Sequence, residues 1–375
     1  MKAITGPIGL CTAFPYRVLT RSRSYIRYCV NAFIKCPWEI VVHATVVSRL
    51  ESHAFACLSF GVIGDAMGTP TENLEPAQIE EKSGWVNSFE GDGTDDSIMR
   101  DLIAAALIRT NGYADADSWA VQWREQNNLI FGEKVGRFFP SVLHAAAKLR
   151  HGYSPRTIAT GTMPSSSSAM AIAPVGIVNA GNPRAAAAQA MEIASLIHVT
   201  DVAFCQDGAA AIAAAVAEAL AVGSTVDAVL QAAIDHVKPW SGSEMLSLIK
   251  SALDIARATG DYKAFRQAYH EKFRKPIACD SRETVPATLA IVWLAKGDPS
   301  RAAILGANFG RDADTIACMA AGICGALSGV SPTNDPLVQK LPRASRQAQV
   351  ELASRLAAVA RAKVESEMLA LKRCP

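Results

Sequence analysis

Two short acidic segments of this chain carry side chains suited to binding a cation. The first reads GDGTDDSIM and the second reads FGRDADT, and each stands immediately before an apolar, Ala-containing stretch. Next to the apolar stretch, each segment places two aspartates and one threonine: Thr94, Asp95, Asp96, Asp312, Asp314 and Thr315. Because neighbouring carboxylates repel each other, their pairing in both segments needs a physical reason.

Helix capping and metal binding each account for part of this pattern. Asp, Ser and Thr accept hydrogen bonds from the free N–H groups at a helix start, and a carboxylate suits the positive end of the helix dipole. Capping explains one carboxylate per helix, but not two with a threonine. Clustered carboxylate and hydroxyl oxygens are also hard ligands for Mg²⁺ or Mn²⁺, and two such segments could hold two ions roughly 3.5–4 Å apart. Since side chains two residues apart on a helix face different directions, we expect Asp312 and Asp314 to lie in a loop.

Two further loops have an unusual composition. In GVIGDAMGTPTE, residues 61–72, the glycines predict close packing between helices. Asp65 and Glu72 differ from them, and Glu72, in a turn after Pro70, could face the acidic segments. The second loop, GTMPSSSSAM at 161–170, offers four consecutive hydroxyls, which would either bind phosphate or form a flexible linker.

Histidine and cysteine supply no recognisable metal motif. The seven histidines and nine cysteines form neither H-E-x-x-H nor C-x-x-C, which argues against the common zinc sites. His198 stands at the end of an apolar segment, where a histidine is more often a core or capping residue than a catalyst.

The elements that must position these residues are helical. Alternating strand patterns are nearly absent, and Ala, the best helix former, dominates the periodic segments. We predict an all-α, multi-helix domain over residues 47–375, whose tail, 338–373, forms one or two amphipathic helices. Apolar residues recur at helical spacing in seven segments: 97–110, 141–150, 185–198, 208–222, 244–258, 284–296 and 313–328.

Composition narrows the class of protein. The formal net charge of +2 gives no electrostatic case for nucleic acid, and the odd number of cysteines favours a reducing compartment such as the cytoplasm. The apolar stretches at 208–217 and 169–178 are shorter than a membrane span or broken by Pro174, so we expect no membrane contact. Residues 1–46 contain no acidic residue before Glu39, which is typical of a mitochondrial transit peptide, a poorly ordered extension or sequence upstream of the domain.

Taken in order, these segments resemble the motifs of the ADP-ribosylglycohydrolase family. The opening GDAMG at 64–68 with Glu72 is similar to the first family motif, and TDD at 94–96 is similar to the second. GRDADT at 310–315 stands where the family has Gly-Gly-Asp-Thr-Asp-Thr, and ETVPATLAIVWL at 283–294 resembles its penultimate helix. The resemblance covers about residues 47–330, and it rests on four motifs in the expected order.

The resemblance implies an orthogonal bundle of helices with metal loops at helix N-termini and a site for two ions, Mg²⁺ or Mn²⁺. The implied metal ligands are the six acidic-segment residues Thr94, Asp95, Asp96, Asp312, Asp314 and Thr315. The implied catalytic carboxylates, one of them the base, are Glu72, Asp95 and Asp314. The implied substrate contacts are Gly136 and His198 in the cleft, with the diphosphate held by Ser166, Ser167 and Ser168.

The implied activity is hydrolysis of the N- or O-glycosidic bond between ADP-ribose and a protein side chain or a small ADP-ribosyl conjugate, by a monomer. The alternative is a catalytically silent ADP-ribose-binding or structural protein on the same fold, although retained clustered carboxylates argue against it. Four positions depart from the family pattern, and at one of them Ser97 replaces a threonine but keeps its hydroxyl. Arg311 and Ala313 replace a glycine and a threonine, and Ala171 stands where arginine is common. Arg311 would contact a substrate phosphate or alter which substrates fit.

Overall fold

The computed structural model describes residues 48–329 and 334–374. Within these ranges the chain forms α-helices and short 3₁₀ turns, and no β-strand is present in them. The all-α prediction is therefore confirmed. The predicted N-terminal segment, 1–46, lies outside the described residues, so the proposed division of the chain at residue 47 stays a prediction.

The helices of the described ranges are short to medium in length, and the last is the longest. In chain order they are α1 Arg49–Gly68, α2 Pro76–Ser83, α3 Asp95–Arg109, α4 Ala116–Glu125, α5 Asn127–Ile130, α6 Pro140–Arg150, α7 Ala173–Val178, α8 Pro183–Ala194, α9 Phe204–Ala219, α10 Val226–Asp235, α11 Ser243–Thr259, α12 Tyr262–Phe273, α13 Ser281–Ala295, α14 Pro299–Ala307, α15 Ala313–Ser328, α16 Pro336–Lys340 and α17 Arg343–Leu371.

The apolar periodicity predicted these elements well. All seven predicted segments are helical, and the tail forms the two helices α16 and α17. One expectation about the acidic segments was wrong. The α15 helix begins at Ala313, so Asp314 and Thr315 lie in its first turn rather than in a loop, and only Asp312 precedes the helix. The first helical turn has free N–H groups and a positive dipole end, so it tolerates a carboxylate there.

The centre of the fold is the contact between α1 and α15, which small residues bring to backbone distance. A Cβ atom added at Gly64 would lie 2.3 Å from the carbonyl oxygen of Ala317, and one at Gly68 would lie 2.3 Å from the Cα of Asp314. At the other end of the pair, a Cβ at Gly325 would lie 2.5 Å from the backbone oxygen of Ala56. These glycines therefore fix the distance between the two helices, as the sequence predicted. The assignment of 61–72 to a loop was wrong, because residues 61–68 belong to α1.

One segment of the described chain, Thr200–Ala219, has the length and apolar composition of a membrane-crossing helix. Its most apolar window is 78% buried inside the protein. A core helix has the same composition as a span, and α9, which forms most of this segment, packs within the hydrophobic core.

Candidate metal and substrate site

The N-terminus of α3 is capped by a side chain from another helix. Asp65, fully buried on α1, accepts hydrogen bonds from the backbone N–H of Thr94 at 2.8 Å and of Ser97 at 3.1 Å. The hydroxyl groups of Thr94 and Ser97 also donate to it, at 2.8 and 2.7 Å. Because Asp65 takes over the cap, Asp95 and Asp96 are not needed for capping. Capping therefore does not explain this acidic pair.

The carboxylates of the two acidic segments meet at one place, together with those of Asp65 and Glu72. Single oxygens of Asp65, Asp96 and Asp314 lie within 4.8 Å of one another, and so do those of Glu72, Asp312 and Asp314. Asp314 belongs to both groups, which therefore share one side chain. Such spacing suits oxygen ligands around a common cation, and these acidic residues could hold a metal.

Burial and mutual repulsion perturb these carboxyl groups strongly. Burial, with the charge of Asp65 adding to it, raises the pKa of Asp95 to about 8. The pKa of Asp312 is raised to about 7, chiefly by burial. Asp96 and Asp314 have pKa values raised well above the ordinary range, again by burial first and by neighbouring aspartates second. A cluster of this kind needs either protons or cations to neutralise it.

The donor set fits a hard divalent cation. The Oδ1 atom of Asp96 is buried and has no hydrogen-bond partner among the described residues. A buried carboxylate oxygen without a partner is costly, and it indicates a missing ligand. The surrounding donors are carboxylate and hydroxyl oxygens, which Mg²⁺ and Mn²⁺ prefer. The residues therefore fit the predicted class of metal.

A cavity of about 210 Å³ opens over this cluster. Nine of the predicted site residues line it: Glu72, Asp95, Asp96, Gly136, Ser166, Ser167, Asp312, Asp314 and Thr315. Three others lie elsewhere. Thr94 lines a neighbouring cavity of about 610 Å³, and neither cavity is lined by Ser168 or His198.

Ser168 and His198 belong to a buried hydrogen-bond network behind the cavity wall. His198 is fully buried, its Nε2 lies 3.0 Å from the Ser165 hydroxyl, and its Nδ1 lies 2.9 Å from the Ser168 hydroxyl. Burial lowers the pKa of His198 to about 3, so its imidazole is neutral at pH 7. The His198 ring therefore stabilises the conformation of the serine loop, residues 161–170, from the side away from the cavity. The predicted contact between His198 and substrate stays a prediction.

The serine loop is tied to the acidic cluster directly. The hydroxyl of Ser166 donates to Asp312 Oδ2 at 3.0 Å, and the backbone N–H of Ser166 donates to the carbonyl of Cys279 at 2.6 Å. Ser167 receives a hydrogen bond from the Ser165 hydroxyl at 3.0 Å. The loop therefore presents its hydroxyls as a connected wall beside Asp312.

Arg311, a departure from the family motif, is held by a buried partner. Its guanidinium donates to both carboxylate oxygens of Glu283, at 2.8 and 2.9 Å, and to the Lys275 carbonyl at 2.6 Å. Its backbone φ is +62°, in the left-handed region that favours glycine. The ion pair offsets this strain, and it keeps the Arg311 side chain on Glu283. The expected contact with a substrate phosphate would require this buried pair to open.

Sequence reasoning did not assign Asp65 and Arg137 to the site. A signal was available for Asp65, because it is the one carboxylate in the apolar stretch 54–68 of α1 and must find partners when it is buried. Arg137 carries no comparable signal. It follows Gly136 in a polar loop, and only the folded chain brings it to the cavity.

Fold and site together define an all-helical protein with a cluster of buried carboxylates at helix starts. A sequence model of the ADP-ribosylglycohydrolase family matches residues 47–365. The chain belongs to this family.

Three relatives illustrate the likeness. The Escherichia coli (strain K12) protein YegU, described as uncharacterized, is 27% identical over 308 residues, which cover 74% of this chain and 88% of YegU. An uncharacterized protein of Archaeoglobus fulgidus is 26% identical over 287 residues, with 73% of this chain and 85% of the relative covered. A solved structure, an ADP-ribosylglycohydrolase-related protein complex, matches with a TM-score of 0.60 at 19% identity, over 84% of this chain and 100% of that one. This structural likeness shows the fold.

Proposed function

We propose that this chain hydrolyses the glycosidic bond that joins ADP-ribose to a protein side chain or to a small-molecule acceptor. Membership of the family supports a glycohydrolase-like function. One observation carries the proposal. The carboxylates of Glu72, Asp95, Asp96, Asp312 and Asp314 line one cavity, and burial raises the pKa of each. A protein keeps such unstable groups together when they bind a ligand.

The cofactor in this proposal is a pair of divalent cations, Mg²⁺ or Mn²⁺. The two overlapping carboxylate groups that share Asp314 support two ions rather than one. Asp96 and Asp312 would complete the two sides, together with Asp95 and the Thr315 hydroxyl at the cavity wall. Divalent cations supply Lewis acidity, which neutralises the carboxylates and polarises sugar hydroxyls.

Residues of the chain would carry out the proton transfer, exclude water and contact the ribose. Cleavage at C1″ passes through an oxocarbenium-like state, in which water adds to the sugar and a proton passes to the departing acceptor. Glu72 lies at the cavity edge, and burial raises its pKa, so its carboxyl oxygen is placed to take and return a proton. Phe138 and Phe139 line the same cavity and exclude water from it. Gly136 offers a wall without a side chain, against which a ribose can lie.

The test is release of ADP-ribose from ADP-ribosylated peptides, one arginine-linked and one serine-linked, with Mg²⁺ and with a chelator. Asp314→Asn removes a carboxylate shared by both groups and should abolish release. The matched control is Asp207→Asn, because Asp207 is equally buried on α9, accepts a hydrogen bond from the Lys238 N–H and does not line the cavity. It should retain activity.

Two results would contradict the proposal. Undiminished release in chelator, or in Asp314→Asn, would remove the metal from the reaction. Binding of ADP-ribose by the native chain without release from either peptide would identify a silent ADP-ribose-binding protein.

A further inference from the structure

The cavity over the acidic cluster has an unbalanced set of charges. Among the described residues that line it, five carry carboxylates, and Arg137 is the one cation. An ADP-ribosyl group brings a negatively charged diphosphate into these surroundings. Repulsion between that diphosphate and the carboxylates would oppose binding unless the proposed cations and a positive side chain of the site offset it.

Arg137 occupies the boundary between two cavities. It ends the 3₁₀ turn Val135–Arg137, directly after Gly136. Its side chain lines both the cavity of about 210 Å³ over the acidic cluster and the neighbouring cavity of about 610 Å³. A ligand whose sugar lies in the smaller cavity and whose remaining part lies in the larger one therefore runs alongside this guanidinium.

The present partner of Arg137 is easily exchanged. Its Nη1 atom lies 3.5 Å from Glu72 Oε2, and the Arg137 side chain is 49% exposed. An exposed ion pair at this separation contributes little to stability. Arg311, by contrast, is committed to buried Glu283 by two short hydrogen bonds. Of these two arginines near the cluster, only Arg137 can turn to a ligand without breaking a buried pair.

The serine loop offers less to a phosphate than its sequence suggested. The Ser166 hydroxyl already donates to Asp312, and the hydroxyls of Ser165 and Ser168 hydrogen-bond His198. The buried His198 ring is neutral at pH 7, because its pKa is lowered to about 3. Among the described side chains that line the cavity, Arg137 is the one that can bring positive charge to the diphosphate in addition to the proposed cations.

We propose that Arg137 binds the diphosphate of the ADP-ribosyl group where the two cavities meet, and exchanges Glu72 for phosphate oxygens as the ligand enters. This inference rests on the proposed function and adds a specificity-determining residue to it. The guanidinium can hold two phosphate oxygens at once, which makes arginine more than a point charge in this position.

The experiment measures ADP-ribose affinity by calorimetry in the presence of Mg²⁺. Arg137→Gln should raise the Kd about tenfold or more, since a charge-assisted hydrogen bond of this kind is lost. Arg137→Lys should recover part of the lost affinity, because lysine restores the positive charge but cannot hold two phosphate oxygens at once. The matched control is Lys134→Gln, which removes the same charge three residues away, where the side chain lines only the larger cavity. It should change the Kd much less.

The results separate this inference from the proposed function. Native chain that neither binds nor releases ADP-ribose would overturn both. Native chain that binds and releases it, with Arg137→Gln binding equally well, would overturn only the role of Arg137. An equal loss in Arg137→Gln and Lys134→Gln would also overturn it, because general electrostatics would then explain the effect.

Discussion

Two buried polar clusters lie side by side in this protein. The polar atoms of one have hydrogen-bond partners, whereas the charges of the other repel one another. In the serine–histidine cluster, formed by Ser165, Ser168 and His198, both ring nitrogens have hydroxyl partners at 2.9–3.0 Å. In the acidic cluster, formed by Asp65, Glu72, Asp95, Asp96, Asp312 and Asp314, like charges crowd together and the Oδ1 atom of Asp96 has no partner among the described residues.

The difference separates a cluster with a structural role from a cluster that binds a ligand. A saturated polar network stabilises one conformation of the chain and needs nothing further. A crowded set of carboxylates destabilises the chain by itself, so its presence indicates a ligand that compensates for the repulsion. Mutations should therefore have opposite consequences in the two clusters.

The largest effect is expected at Asp314, which belongs to both carboxylate groups. Asp314→Asn should lower the rate of ADP-ribose release about 10³-fold or more, because a ligand to the cations is lost. In chelator at pH 8 the same variant should unfold at a higher temperature than the native chain, because it removes repulsion. Release assays and thermal unfolding measure the two effects, and a lower unfolding temperature in chelator would contradict the contrast.

The stability of the metal-free chain should depend on pH. Burial raises the pKa of Asp95 to about 8 and of Asp312 to about 7, whereas a free Asp titrates near 4. The folded state therefore binds these protons more tightly than the unfolded state, and stability falls as the pH rises from about 4 to about 8. Each pKa unit of difference between the two states corresponds to about 1.4 kcal/mol. The expected loss is therefore several kcal/mol, measured by denaturant unfolding in chelator.

Added Mg²⁺ or Mn²⁺ should reverse this loss, and more so at pH 8 than at pH 5, since protons compete with the cation. The Asp314→Asn variant is the control, because its smaller cluster should show a weaker response. Stability that is independent of pH in chelator would show that these carboxylates do not repel one another as the structure indicates.

In the serine–histidine cluster the expected effect is on folding. His198→Ala should cost about 3 kcal/mol, because it opens a cavity and leaves two buried hydroxyls without their partner. His144→Ala is the control, since His144 is exposed on α6 and should change stability by less than about 0.5 kcal/mol. Urea unfolding measures both variants, and a His198→Ala chain as stable as native would show that the network is dispensable.

The smallest change in stability is expected at the contact between α1 and α15, the two helices that carry Asp65 and Asp314 of the acidic cluster. Gly64→Ala should destabilise by about 2 kcal/mol, because the new Cβ would lie 2.3 Å from the Ala317 oxygen and the helices must separate. Gly322→Ala is the matched control on the same interface, since its Cβ would meet the Cys57 oxygen at 3.4 Å. Equal unfolding free energies for the two variants would refute the close-packing role of Gly64.

The sequence could predict the helices and the acidic positions because both depend on local information. Apolar periodicity located α15 at 313–328, and the two aspartate pairs were visible as repulsive neighbours near helix starts. The resemblance to the family then joined the segments into one site, and the two acidic segments do line one cavity.

Other features depend on distant parts of the chain. Asp65 caps α3 from another helix, and Arg311 pairs with Glu283 on α13. Such contacts depend on how the helices pack against one another, and the local sequence pattern does not predict that packing. The loop position expected for Asp314 was wrong because the first turn of a helix can carry a carboxylate that serves the site and not the cap.

The central claim is that the acidic cluster holds divalent cations, and crystals soaked in Mn²⁺ test it most directly. We expect anomalous-scattering peaks within bonding distance of Asp96 and Asp314, and loss of the peaks beside Asp314 in Asp314→Asn crystals. Crystals of active protein that show no peak at the cluster in saturating Mn²⁺ would contradict it.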